Sequence, residues 1–125
     1  MSVNNPHIIT PVQVEKRLKD LSGELDSVHD DLVVAEAVYF STKAEYEVSL
    51  AKTRLTLANK TSSTGKNFTV GEREDMALVE NAELHFAIAV AEAQVKAARA
   101  NSMRIKTQVD IARSISVSVR TGMEL

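Results

Sequence analysis

The sequence predicts an all-α protein, a long, coiled-coil-like antiparallel helical hairpin that is oligomeric. Three observations carry this prediction. Two long segments each bear an apolar stripe with alternating steps of four and three residues, a polar stretch separates them, and 44% of the chain is hydrophobic. Steps of four and three place side chains on the face by which one helix packs along another. A two-helix hairpin buries only one stripe per helix, so the remaining apolar surface predicts self-association.

The first predicted helix covers residues 10–58. Thr10 followed by Pro11, with Gln13 three residues after Thr10, is typical of a helix start with a capping box. Residues 1–9 are expected to be flexible. The apolar stripe of this helix, which we call stripe A, runs for more than five heptads through Val14, Leu18, Leu21, Leu25, Val28, Leu32, Ala35, Tyr39, Thr42, Tyr46, Ser49 and Thr53.

Residues 59–69 are rich in turn-forming types and predict a hinge loop. Thr69 and Glu72 form a second capping box, so a second helix is expected over 70–121. Its apolar stripe, stripe B, consists of Leu84, Ile88, Ala91, Val95, Ala98, Ser102, Ile105, Val109 and Ala112. Equal helix lengths around a short loop favour an antiparallel hairpin and one domain over residues 1–125.

The end of the second helix allows two interpretations. Residues 114–120 alternate as a strand does, yet they also continue stripe B through Ser116 and Val119. We favour a helix to Thr121 that Gly122 stops, with a break near residue 113 as the alternative.

A further apolar stripe, stripe C, lies beside stripe B on the second helix and consists of Val79, Ala82, Phe86, Ala89, Ala93 and Ala100. A helix that is apolar on two faces is typical of the interior of an assembly. We expect stripe B to pack within the chain and stripe C on a neighbouring subunit. The alternative is one wide face in a broad core.

Composition limits the class of protein. The net charge is −2, with 15 basic and 17 acidic side chains, so the chain as a whole lacks a nucleic-acid signature. Cysteine is absent, which excludes disulfides and thiolate metal sites. The sequence shows neither a signal peptide nor an apolar run of bilayer length, so we expect a cytoplasmic protein with no membrane partner.

No catalytic or metal-binding arrangement emerges from the sequence. The histidines His7, His29 and His85 do not converge in the predicted hairpin, and phosphate-binding and nucleophile motifs are lacking. We therefore expect no enzymatic activity, no metal and no cofactor.

Charge is segregated along the chain. Seven acids lie between residues 24 and 47 and six between residues 72 and 92, whereas residues 48–71 contain no acid. This acid-free stretch holds four cations, Lys52, Arg54, Lys60 and Lys66. They would either bind phosphates or neutralise acids of the hairpin, with Arg54 near Glu74 in the predicted pairing.

Two short motifs flank the loop. Lys52-Thr53-Arg54-Leu55 precedes it and Phe68-Thr69-Val70 opens the second helix, while Val119-Arg120-Thr121-Gly122 ends that helix. In this order of features the chain resembles phage recombination mediators of the UvsY type. The resemblance implies a ring-like homo-oligomer that binds single-stranded DNA and helps to load a RecA-like recombinase while single-strand-binding protein is displaced. It also implies that Lys52 and Arg54 contact DNA.

Together these observations predict a non-enzymatic, homo-oligomeric single-stranded-DNA-binding protein that acts as a recombination mediator. Lys60 and Lys66 join the predicted DNA site because of the charge of the loop. The alternative is a structural or adaptor coiled coil whose partner is another protein.

Overall fold

A computed structural model of the chain describes residues 9–60 and 65–124, with side chains described as far as Gly122. Over these residues the protein is all-helical and contains no strand. Helix α1 spans Pro11–Ala58, α2 spans Val70–Glu80 and α3 spans Ala82–Glu124. None of the described helices is long and apolar enough to cross a membrane. The segment 1–9, expected to be flexible, lies outside the described residues except for its last position.

The start of α1 follows the capping pattern read from the sequence. The Gln13 amide donates to the Thr10 hydroxyl at 3.3 Å, and the Thr10 amide donates to the Gln13 side-chain oxygen at 3.0 Å. This reciprocal arrangement satisfies amides that lack a partner within the helix.

The start of α2 is capped in a related way. Thr69 has an extended backbone, and its hydroxyl accepts from the Glu72 amide at 3.1 Å and donates to the Glu72 carboxylate at 3.2 Å. Before this cap, Gly65 adopts a φ of 78°, a left-handed conformation that favours glycine. The central residues 61–64 of the predicted hinge loop lie outside the described residues.

The second predicted helix differs from the observed one at Asn81. Instead of one helix over 70–121, α2 and α3 are separated at this residue, whose ψ of 21° departs from helical values. The Asn81 side chain donates to the Ala77 carbonyl at 2.8 Å, and the same carbonyl accepts from the Asn81 backbone amide at 3.1 Å. The interruption lies at a residue whose side chain bonds both to its own helix and to Ser49 and Thr53 of α1.

The carboxyl end of α3 also differs from the expectation. The helix passes through residue 113 without a break and continues past Gly122 to Glu124. Gly122 does not adopt the positive φ by which a glycine commonly ends a helix, so it does not act as a stop. Residues 114–120 are helical, and the strand interpretation is wrong.

The burial of side chains confirms stripes A and B. Every member of both stripes is buried or half-buried, and the continuation of stripe B through Ser116 and Val119 is half-buried. Every member of stripe C is exposed, so the interpretation of one wide buried face is wrong.

The described residues divide into two compact units, and the single domain over residues 1–125 stays a prediction. In unit 1 (described residues 9–32 and 97–124), α1 and α3 pack through an apolar core of Leu21, Val28, Ile105, Val109 and Ala112, with Leu18 and Leu25 against it. The Arg17 guanidinium also donates to the Gln108 side-chain oxygen at 3.3 Å.

Unit 2 (described residues 33–60 and 65–96) has a different interior. Polar and aromatic side chains connect α1 to the helices that follow it. The Tyr46 and His85 rings lie 5.6 Å apart between centroids, and Asn81 hydrogen-bonds to Ser49 and Thr53. Leu57, Ala77, Ala91 and Val95 supply the buried apolar groups of this unit.

Candidate nucleic-acid interface

The last turns of α1 position two of the predicted site residues. Lys52 and Arg54 lie on either side of Thr53, which is half-buried in stripe A. Because neighbouring positions on a helix point about 100° apart, both cations lie outside the packed face, and both are exposed. Leu57 is buried in the next turn and fixes the end of α1 to the rest of unit 2.

The other two site residues lie on the segments that connect α1 to α2. The Asn59 amide donates to the Thr56 carbonyl at 3.3 Å and the Lys60 amide donates to the Leu57 carbonyl at 3.2 Å. These tight contacts end the helix and place Lys60 directly after it. Lys66 follows Gly65 shortly before the Thr69 cap, and both lysines are exposed.

The four cations are free of side-chain partners within the part of the chain that the structure describes. Neither a hydrogen bond nor an ion pair joins the side chains of Lys52, Arg54, Lys60 or Lys66 to another described residue. The expected pairing of Arg54 with Glu74 is therefore not formed. By contrast, Lys96 forms an ion pair with Glu92 of its own helix at 3.4 Å.

Few aromatic side chains accompany these cations. Phe68, two residues after Lys66, is half-buried, and Tyr39 and Tyr46 are half-buried in stripe A. Phe40 is exposed and lies 5.3 Å from the Tyr39 ring between centroids. Phe86 of unit 2 is exposed as well, and Phe68 is the aromatic residue nearest in sequence to Lys66.

The four cations follow one another along the chain. The four cations belong to one unit and to consecutive segments of the chain, and no described acid separates them in sequence. Lysine and arginine side chains on such a surface can each approach a phosphate while their stems remain mobile. Base readout needs hydrogen-bonding side chains that are held in place, and the described residues around these cations do not form such a set.

The sequence did not reveal the polar network beside this site. Asn81 is 5% exposed, accepts a hydrogen bond from the Ser49 hydroxyl and donates to the Thr53 hydroxyl at 3.0 Å. The Thr53 hydroxyl in turn donates to the Ser49 carbonyl at 2.9 Å. The available signal was that Asn81 lies three residues before Leu84 and so extends stripe B with a polar side chain. This network holds the segment of α1 that carries Lys52 and Arg54.

Among the described residues, no group of three or more histidine and acidic side chains is placed to hold a metal ion. His29 is exposed in unit 1, and His85 is exposed in unit 2 beside Tyr46. His7 lies outside the described residues.

No protein-family model, curated protein or solved structure matches this chain. The resemblance to the recombination mediators therefore stays an expectation.

Proposed function

We propose that this chain is a non-enzymatic, homo-oligomeric protein that binds single-stranded DNA and acts as a recombination mediator. In this proposal Lys52, Arg54, Lys60 and Lys66 bind the phosphates, and the assembly helps a RecA-like recombinase to replace single-strand-binding protein on the strand. One observation carries the DNA-binding part. Four exposed cations follow one another in an acid-free stretch and have no side-chain partner among the described residues.

The kind of binding follows from the side chains. Cations that approach phosphates bind any sequence and release counterions, so affinity falls steeply as salt concentration rises. The shortage of exposed aromatic rings leaves little stacking energy to offset that loss. We expect weak preference among sequences and a strong dependence on salt.

The contacts within each unit support an antiparallel hairpin. In unit 2, Tyr46 packs on His85, while Thr53, further along α1, bonds to the earlier Asn81. In unit 1, Arg17 near the start of α1 bonds to Gln108 in the second half of α3. In unit 2, positions further along α1 therefore contact earlier positions of the helices that follow.

The exposure of stripe C supports a homo-oligomer. Val79 and Phe86 are among the most exposed large apolar side chains of the described residues, and the alanines of stripe C are exposed too. A contiguous exposed apolar surface is typical of an interface. Several copies held together would also present several cation sites to one strand, which raises the effective affinity.

The DNA-binding proposal is tested by titrating a fluorescently labelled oligothymidylate with the protein at several salt concentrations. The double variant Lys52→Ala/Arg54→Ala should bind more weakly, and its salt slope should fall by about 1.4, since each cation on single-stranded DNA contributes about 0.7.

The matched control is Lys16→Ala/Lys19→Ala, which removes the same charge from exposed positions of unit 1. It should bind almost as the unmodified protein does. If both double variants bind alike, net charge alone explains the affinity and the site assignment is wrong.

The mediator role needs its own assay. Recombinase filaments should form faster on a strand coated with single-strand-binding protein when this chain is present, and Lys52→Ala/Arg54→Ala should reduce that effect. DNA binding without any change in the rate of filament formation would leave a DNA-binding protein of another role.

The exposed apolar surface of unit 2 also favours a second candidate, a structural or adaptor coiled coil that binds another protein. The same titration separates the two candidates. Absence of binding to single-stranded DNA even at low salt contradicts the first and supports the second.

A further inference from the structure

We propose that the outward face of α1 in unit 2 pairs in an antiparallel manner with the same face of a second copy of this chain. We call this surface the α1 outer face and define it by Val34, Ala37, Ser41, Ala44, Val48, Ala51, Leu55 and Ala58. The inference goes beyond the proposed function because it concerns self-association without DNA, through a surface different from stripe C.

The α1 outer face has the spacing of a helix-packing surface. Its members follow one another in steps of three and four, and alanine recurs every seventh residue at positions 37, 44, 51 and 58. All eight side chains are exposed, and Leu55 is 69% exposed. Stripe A already accounts for the packing of α1 within the chain, so this repeat is unused there. Regular heptads of small and branched residues are typical of closely packed helix pairs.

Four charged side chains line the two edges of this face, and their order along the helix is the decisive feature. The acids Glu45 and Glu47 come first, and the cations Lys52 and Arg54 follow one heptad later. All four are exposed, and none has a side-chain partner among the described residues. A segment with acids at one end and cations at the other is complementary to itself when it is reversed.

In one register of the antiparallel pair, the apolar side chains pack against each other and the charged side chains lie opposite side chains of the other sign. When Val48 lies level with Ala51 of the second copy, Ala44 lies level with Leu55 and Ser41 with Ala58. A large side chain then lies opposite a small one at the Val48–Ala51 and Ala44–Leu55 levels, and two small side chains meet at the Ser41–Ala58 level. In the same register Glu45 faces Lys52 of the second copy and Glu47 faces Arg54, and the two-fold symmetry repeats both pairs. The face therefore forms four ion pairs at its rim.

Other registers and orientations form fewer ion pairs or bring like charges together. A shift by one heptad brings Glu45 and Glu47 next to their own counterparts, which costs energy because like charges repel. A parallel pair joins Glu47 to Lys52 and leaves Glu45 and Arg54 without opposite charges. Exposed ion pairs contribute little affinity, but they discriminate between registers and orientations. The charges thus select the antiparallel register, while the apolar residues supply the contact.

The overlap in this register extends from Ser41 to Ala58, about 27 Å of helix. This is short for a stable interface, so we expect the pairing to be weak and dependent on protein concentration. Lys52 and Arg54 also belong to the proposed DNA site, so the second copy's acids and the phosphates of a strand would compete for the same cations.

Disulfide trapping tests the register directly, since the chain contains no cysteine. We expect an equimolar mixture of Ala44→Cys and Leu55→Cys variants, oxidised without DNA, to yield the crosslinked heterodimer. Ala44→Cys alone should not crosslink, because the two copies of residue 44 would lie about 16 Å apart along the axis, far beyond disulfide reach. Efficient crosslinking of Ala44→Cys with itself, or none in the mixture, would overturn the proposal.

A charge exchange tests the ion pairs. Glu45→Lys/Glu47→Lys makes all four edge positions basic, and Lys52→Glu/Arg54→Glu makes all four acidic. With the two cysteines placed one on each variant, we expect the mixture to crosslink as well as the original pair does. Two basic or two acidic chains should crosslink about tenfold less. Equal yields from all combinations would contradict the proposed pairing.

A conservative variant separates this proposal from DNA binding. Glu45→Gln/Glu47→Gln removes the acids that the second copy needs but keeps both cations. We expect it to lower the crosslink yield while single-stranded DNA binding is retained or strengthened. A lower yield with weaker DNA binding would contradict the competition between the two, and an unchanged yield would contradict the ion pairs.

Discussion

The two units of this chain each combine a part of α1 with a part of α3, and unit 2 also contains α2, yet they distribute apolar residues differently. In unit 1 the helices meet through leucine, valine and isoleucine, and the surface is mostly polar. In unit 2 hydrogen bonds and a ring contact of serine, threonine, asparagine and tyrosine accompany a few buried apolar side chains, and many large apolar side chains are exposed.

The two units differ in the number of large apolar side chains that are exposed. Unit 1 has five among its described residues: Ile9, Val12, Met103, Ile111 and Val117. Unit 2 has twelve: Val33, Val34, Val38, Phe40, Val48, Leu55, Val70, Met76, Leu78, Val79, Phe86 and Val90. The two units differ little in length, so length does not explain the contrast. Unit 1 leaves fewer large apolar side chains exposed, and unit 2 is the part of the chain for which we infer a partner.

The largest expected effect compares one leucine from each unit. Leu21 is 1% exposed in the core of unit 1, whereas Leu55 is 69% exposed in unit 2. Leu21→Ala should lower the free energy of unfolding by about 3 kcal/mol, since it leaves a cavity among packed side chains. Leu55→Ala should change it by less than about 0.5 kcal/mol. Urea titrations followed by circular dichroism check both values, and similar losses in the two variants would contradict the contrast between the units.

A smaller effect is expected at the polar interior of unit 2. Asn81→Ala removes the side chain that bonds to Ser49 and Thr53, and the loss of these buried hydrogen bonds should cost about 1–3 kcal/mol. Asn101→Ala is the matched control, because the Asn101 side chain accepts only from Arg104 on its own helix. Thermal unfolding curves should separate the two variants. Equal melting temperatures would show that the network does not stabilise unit 2.

The smallest effect concerns the start of α2. Thr69→Ala removes the hydroxyl that caps the Glu72 amide and should lower stability by about 1 kcal/mol. Thr69→Ser keeps the hydroxyl and should retain most of that stability. Hydrogen exchange of the α2 amides would locate the loss. Faster exchange in both variants alike would mean that the methyl group, rather than the cap, stabilises this helix.

The sequence predicts unit 1 and the packed faces better than it predicts unit 2. Stripes A and B follow from spacing alone, because an apolar side chain every three or four residues determines which face of a helix is buried. The caps at Thr10 and Thr69 are equally local, so the sequence revealed them.

What the sequence missed depends on contacts between distant residues. The second helix is interrupted at Asn81, whose side chain bonds to Ala77 on its own helix and to Ser49 and Thr53 of α1. Nothing local at Asn81 predicts that pairing. At the other end, Gly122 is a common helix stop by type, but a glycine stops a helix only when its backbone turns left-handed. The cations of the proposed DNA site could be identified from charge, whereas their lack of side-chain partners among the described residues could be seen only in the structure.

The central claim is that unit 2 carries the surface that holds copies together, and sedimentation equilibrium without DNA tests it most directly. Val79 in unit 2 and Val12 in unit 1 are equally exposed, at 76% and 74%, so Val79→Ser and Val12→Ser form a matched pair. We predict a mass several times the 13.7 kDa of one chain for the unmodified protein and for Val12→Ser, and a lower mass for Val79→Ser. A mass of one chain at every concentration, or equal masses for the two variants, would contradict the account.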